Sequence, residues 1–174
     1  WMEMSYGNSQ GKSYKQDHGE SLYRRGLYTV WKRSVLFPAF AAFDAPNREE
    51  CTVRRPRTNT PLQAFVLLND ATFVESARVF AERVLREGGN NFESQIGFAM
   101  EIALARPPSS SERSVLQSLL TDMFMHYRRK PEEAQNIIAT GEWPISKDLD
   151  PVTLAAWTSV AQAILNLDEM QTKE

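Results

Sequence analysis

One cysteine and two histidines in 174 residues leave little material for several kinds of chemistry. Cys51 alone permits no internal disulfide, no C-x-x-C-H haem attachment and no cysteine-based zinc cluster within this chain. His18 stands in DHGE and His126 in MHYRRK. Neither belongs to H-E-x-x-H, and two isolated histidines lack the further ligands that a zinc site requires. There is no G-x-S-x-G for a strained nucleophile turn and no glycine-rich phosphate cradle. Lys147-Asp148-Leu149-Asp150 resembles part of a calcium loop but lacks the remaining ligand positions. Catalytic residues, metal ligands and a resident cofactor are therefore all expected to be absent from this chain.

Long apolar runs are missing too. The longest uncharged stretch, residues 151–167, carries Thr153, Thr158, Ser159, Gln162 and Asn166, and is too short and polar for a membrane span. The formal charge of −2 gives no overall field to recruit nucleic acid. That charge is unevenly spread. Residues 1–60 hold ten Lys/Arg against six Asp/Glu, whereas residues 61–174 hold ten against sixteen, so the two parts attract one another. With 42% hydrophobic and 24% charged residues, the composition is that of a globular domain able to bury a core. Since the chain opens WMEMSYG, with Trp1 in place of an initiating Met, it is expected to be a fragment of a longer protein.

What is present is helical. Residues 1–20 are polar and aperiodic, an irregular arm whose Trp1, Tyr6 and Tyr14 are expected to dock on the body. SLYRRGLYTVWKRSVLFP fits either a short helix or an extended segment ended by Pro38, and AFAAFDAPNREE reads as a loop anchored by Phe40 and Phe43. From Thr60 onward the start signals are explicit. Thr60 and Gln63 make a capping box, and Pro61 occupies the first helical position, where no backbone N–H is needed. Asp70, Asn90 or Asn91, Ser109 with Glu112, Pro131 and Asp150-Pro151 open the helices that follow. In the last of these, Trp157, Val160, Ala161 and Ile164 form a stripe widened by Ala155, Ala156, Ala163 and Leu165, the pattern of a central buried helix. The expected fold is all-α: an irregular bundle of five to six helices over residues 60–174, with residues 1–59 as an irregular arm and loop segment packed on it.

One stretch concentrates charge. In CTVRRPRTNTPLQ, Arg54, Arg55 and Arg57 lie just ahead of a helix start, and Trp31, Lys32 and Arg33 could join them. A helix N-terminus carries free N–H groups and a partial positive charge, so added arginines make an anion-binding candidate for carboxylate, sulfate or phosphate. The alternative is that the arginines clamp the protein's own acids, such as Asp44, Glu49, Glu50, Asp168 or Glu169. The second reading explains the charge asymmetry without any ligand and is preferred.

Residues 23–85, beginning YRRGLYTVWKRSVLFPAF and including RRPRTNTPLQA, together with ARPPSSSE at 105–112 and the ending AWTSVAQAILNLDEMQTKE, resemble a known family. They are similar to the C-terminal domain of unknown function of planctomycete-type secreted cytochrome-c-like multidomain proteins. SVLFPAF departs from the more proline-rich stretch of that family. The resemblance implies a periplasmic or extracellular protein whose partners are upstream domains of the same polypeptide, including a haem-binding cytochrome-c-like domain. It implies no activity, and the function expected is that of a non-catalytic helical interaction or scaffold domain. The alternative is an accessory ligand-binding part of a redox or glycan-processing assembly, with the arginine stretch as its anion site.

Overall fold

Capping side chains and prolines set where the helices begin. The computed structural model describes residues 16–29, 31, 36–46 and 50–172. Among these are two short 3-10 turns, Gly19–Tyr23 and Gly26–Tyr28, and eight α-helices, with no strand. The helices are α1 (Pro38–Ala42), α2 (Pro61–Asn69), α3 (Ala71–Glu87), α4 (Phe92–Leu104), α5 (Ser110–Arg129), α6 (Pro131–Ile138), α7 (Pro151–Leu165) and α8 (Asp168–Gln171). The chain divides into two compact units, Trp1–Gln63 and Ala64–Glu174. The fold class is the all-α bundle expected from the periodicity.

In the first unit the sequence reading needs two corrections. Among the described residues after Tyr23, Gly26–Tyr28 form a 3-10 turn; Pro38 starts α1 where it was expected to end an element, and α1 takes in Ala39–Ala42 of the stretch expected to be a loop. At the first position of a helix proline has the right φ and no N–H to waste, so the same residue that breaks a helix can open one. Phe40 of α1 stacks on Trp31 at 4.7 Å, and Phe37 meets Phe40 edge-on at 5.5 Å. The docking expected of Trp1, Tyr6 and Tyr14 falls outside the described residues, as do Lys32, Arg33 and Glu49.

In the second unit α3, α4, α5 and α7 begin at side-chain caps, and α6 begins at Pro131. The Asp70 side chain accepts from the Thr72 amide at 2.9 Å, Asn91 from Ser94 at 2.9 Å, and Asp150 from Thr153 at 2.8 Å. Ser109 and Glu112 close a reciprocal capping box at the start of α5. Each such cap satisfies backbone donors that have no partner within the helix. Helix α7 is the centre. Leu154, Ala155, Ala156, Trp157, Thr158, Val160, Ala161 and Ile164 are buried, and the helix packs on α3, α4, α5, α6 and α8. Its alanines let neighbouring helices approach closely, while Trp157 reaches Phe92 of α4 at 6.1 Å between ring centres. The buried Thr158 hydroxyl donates to the Leu154 carbonyl at 2.8 Å, so this buried hydroxyl is not stranded. Helix α8, a single turn, had no signal in the sequence reading.

Candidate functional site

The arginine stretch is built around Asp44, a residue with φ of 56°, in the left-handed region that Asp tolerates better than most side chains. Asp44 Oδ2 accepts from the Thr58 amide at 2.9 Å, the Thr58 hydroxyl at 2.6 Å and Gln63 Nε2 at 3.4 Å. The Thr58 hydroxyl above all, with the Thr58 amide, the nearby Arg55 charge and Gln63, holds the Asp44 carboxyl below its ordinary range. Arg55 donates through Nη2 to the Phe43 carbonyl, one residue away from that carboxylate. Arg54 and Arg57 are exposed. Trp31 is half-buried and donates its indole N–H to the Gly26 carbonyl at 3.1 Å while stacking on Phe40.

The helix start beside these arginines is already occupied. Thr60 donates its amide to Gln63 Oε1 at 2.9 Å, and Gln63 donates its own to Thr60 Oγ1 at 3.3 Å, with Pro61 as the first residue of α2. Gln63, 2% exposed, also donates to Thr58 Oγ1 at 3.0 Å. One glutamine thus closes the capping box and ties it back to the Asp44 turn. The result is a hydrogen-bonded knot in which Thr58, Gln63 and Arg55 all serve the chain's own acceptors.

Two charged constellations escaped the sequence reading. The first is on α3, where Glu75, Arg78 and Glu82 have side-chain exposures of 6%, 0% and 7%. Arg78 Nη1 bonds Glu82 Oε1 at 2.6 Å, and Nη2 donates to the Trp143 carbonyl at 2.7 Å. Glu75 Oε1 accepts the Trp143 amide, and Arg86 reaches Ser146 Oγ at 2.6 Å and Asp148 Oδ1 at 2.9 Å. The Ser146 hydroxyl, then Arg86, brings the Asp148 carboxyl down to about 2. The available signal was E-x-x-R-x-x-x-E, charges three and four residues apart on a face that also carries Val74 and Ala81.

The second is Arg106, which bonds Glu112 through Nη2 at 2.7 Å and through Nη1 at 3.0 Å. Glu169, named above as a potential partner of the arginine stretch, pairs with Arg106 instead, at 2.7 Å. Beside this clamp a cleft of about 560 Å³ lies between the end of α4 and α8, lined by Ile102, Leu104, Asp168, Glu169 and Thr172 among others. Both oxygens of Glu169 are taken by Arg106, so the cleft offers little uncommitted chemistry.

Among the described residues no three His, Cys, Asp or Glu side chains come together in a metal-holding group, and no helix is long and apolar enough to cross a membrane. Cys51 is an exposed thiol. His126 donates its Nε2–H to Glu133 at 2.6 Å, and Lys130 donates to the same carboxylate at 2.7 Å, a surface cluster at the α5–α6 joint.

Fold and site together define an all-α helical-bundle domain in which Arg55, Arg78 and Arg106 hold acceptors of the chain itself. The chain belongs to the family described as PSD1, Protein of unknown function (DUF1553), whose profile matches residues 3–120. No curated protein and no solved structure matches it.

Proposed function

We propose that this chain is a non-catalytic helical interaction domain that packs against upstream domains of the same polypeptide. The observation that carries this reading is the composition and exposure of α2. Its nine residues, PLQAFVLLN, include no charged side chain, and Phe65 and Leu68 stand 63% and 42% exposed. The Leu68 carbonyl accepts from Gln162 Nε2 of α7 at 3.1 Å, which anchors this end of the helix. An uncharged, exposed apolar helix face on an anchored element is the signature of a contact surface. The internal use of Arg55, Arg78 and Arg106 also fits a structural role better than capture of an outside anion. In this reading the polypeptide is exported, its haem-bearing partner is an upstream cytochrome-c-like domain, and the chain itself binds neither cofactor nor nucleic acid.

The test mixes the purified chain with the separately produced upstream part of its polypeptide and follows association by calorimetry and size-exclusion chromatography. A complex is expected, weakened roughly tenfold or more by Phe65→Ser, as is usual for a contact-centre aromatic. No association at concentrations of tens of micromolar would overturn the reading.

A further inference from the structure

We propose that the contact face of α2 is pre-organised by a hydrogen-bond relay lying off that face, Asp44–Thr58–Gln63, with Gln63 as its positioning residue. The proposal rests on the reading that Phe65 and Leu68 belong to a contact surface, and it concerns what keeps that surface helical. Nine residues are few for a helix to hold itself together in water, where isolated helices shorter than about 12 residues are marginal. The ends of α2 therefore have to be held before a partner arrives.

At the far end the Leu68 carbonyl accepts from Gln162 at 3.1 Å. At the start the bonds converge on Gln63, the buried residue of α2. Its Oε1 and its backbone amide complete the capping box with Thr60, while its Nε2 donates to the Thr58 hydroxyl at 3.0 Å. The direction of these bonds is dictated from Asp44. An ionised carboxylate only accepts, so the Thr58 hydroxyl spends its single proton on Asp44 Oδ2, at 2.6 Å. Its oxygen is then left to accept, and of the two ends of the Gln63 amide only the NH2 can satisfy it. That choice turns Oε1 towards the Thr60 amide, where the cap needs an acceptor.

Phe65 stands one turn past Pro61, on the turn that this cap secures. Where the first turn of a helix frays, a partner must re-form it on binding, and affinity falls accordingly. A turn already in place avoids that cost. The strength of contact at Phe65 is thus set in part by Asp44 and Thr58, which lie outside α2.

Thr58→Val removes the hydroxyl and keeps the branched shape, whereas Thr58→Ser keeps the hydroxyl. Both are made in the whole chain, and native-state hydrogen exchange is read at the amides of Phe65, Val66, Leu67 and Leu68, with Val160 of α7 as reference. In Thr58→Val the α2 amides should exchange roughly fivefold faster or more, and the complex with the upstream part of the polypeptide should weaken by a similar factor. Thr58→Ser should match the parent chain in both measurements, and Val160 should not change. If the α2 amides ignore Thr58→Val, or respond equally to both substitutions, the relay is overturned whatever the partner does. If they respond while affinity does not, and Phe65→Ser still weakens the complex, pre-organisation fails and the contact surface stands. No complex with the parent chain itself removes the contact surface, and this proposal with it.

Discussion

Arg106 and Glu169 form a two-bond pair across 63 residues of sequence, Nε to Oε2 and Nη2 to Oε1, each at 2.7 Å. The same guanidinium holds Glu112, the acid of the α5 capping box, so one arginine joins the turn after α4, the start of α5 and α8. Ala105, with φ of 55°, ends α4 immediately before it and turns the chain into the clamp.

The clamp makes stability depend on acid pH. Arg106 chiefly, then the Ser109 amide and hydroxyl, lower the Glu112 carboxyl from 4.5 to about 2. A depressed folded value means that the stabilisation is fully present above 4.5 and is lost as pH falls from there towards 2. Glu112→Gln keeps the reach needed for the capping box and removes the charge. At pH 7 this variant should be less stable by about 1 kcal/mol, the usual worth of a charge-assisted bond at a part-exposed site. Urea melts from pH 7 to pH 2 should show the gap closing across that window. A gap that ignores pH would mean the charge contributes nothing.

Gln63 is expected to resist even its closest replacement. A glutamate in its place could serve as a capping-box acid, but the new carboxylate would face the Asp44 oxygen that Gln63 Nε2 now approaches at 3.4 Å. Gln63→Glu should therefore be destabilising at pH 7, by about 1 kcal/mol or more, and should recover as Asp44 or the new acid is protonated. Gln63→Ala should cost a similar amount with little pH dependence from this pair. Thermal melts of both variants at pH 7 and pH 4 separate the two patterns, and equal behaviour would remove Asp44 from the account.

The centre of the bundle should tolerate no added volume. Ala156 is fully buried on α7, where close helix approach requires a small side chain. Ala156→Leu should destabilise by about 1–3 kcal/mol through overpacking, and Ile164→Ala by about 2–5 kcal/mol through a cavity. Denaturant midpoints measure both. A neutral Ala156→Leu would show that α7 is less tightly enclosed than its burial indicates.

The helices from Thr60 through α7 were legible because their information is local, whereas the single turn of α8 was not. Thr60 with Gln63, Ser109 with Glu112, and Asp70 and Asp150 state a helix start within four residues, and the α7 stripe states which helix is central. Pro38 was misread because proline both ends and opens helices, and only the path of the following chain tells which. The arginine stretch could be singled out but not resolved, since a run of cations names no partner. In space Arg55 turns to Phe43 and the neighbourhood of Asp44, while Glu169 goes to Arg106.

The sequence by itself determined an all-α chain, its main helix starts and a central α7, because caps and apolar periodicity act between residues close along the backbone. It also determined that the histidines and the single cysteine supply no familiar metal or disulfide pattern. Only the tertiary structure decided which charges are buried and whom they hold. Arg78 lies inside between two glutamates because residues 143–146 fold back over α3 from a point some 65 positions away. Long-range pairing of this kind depends on where the packed helices bring the chain, which no local pattern records.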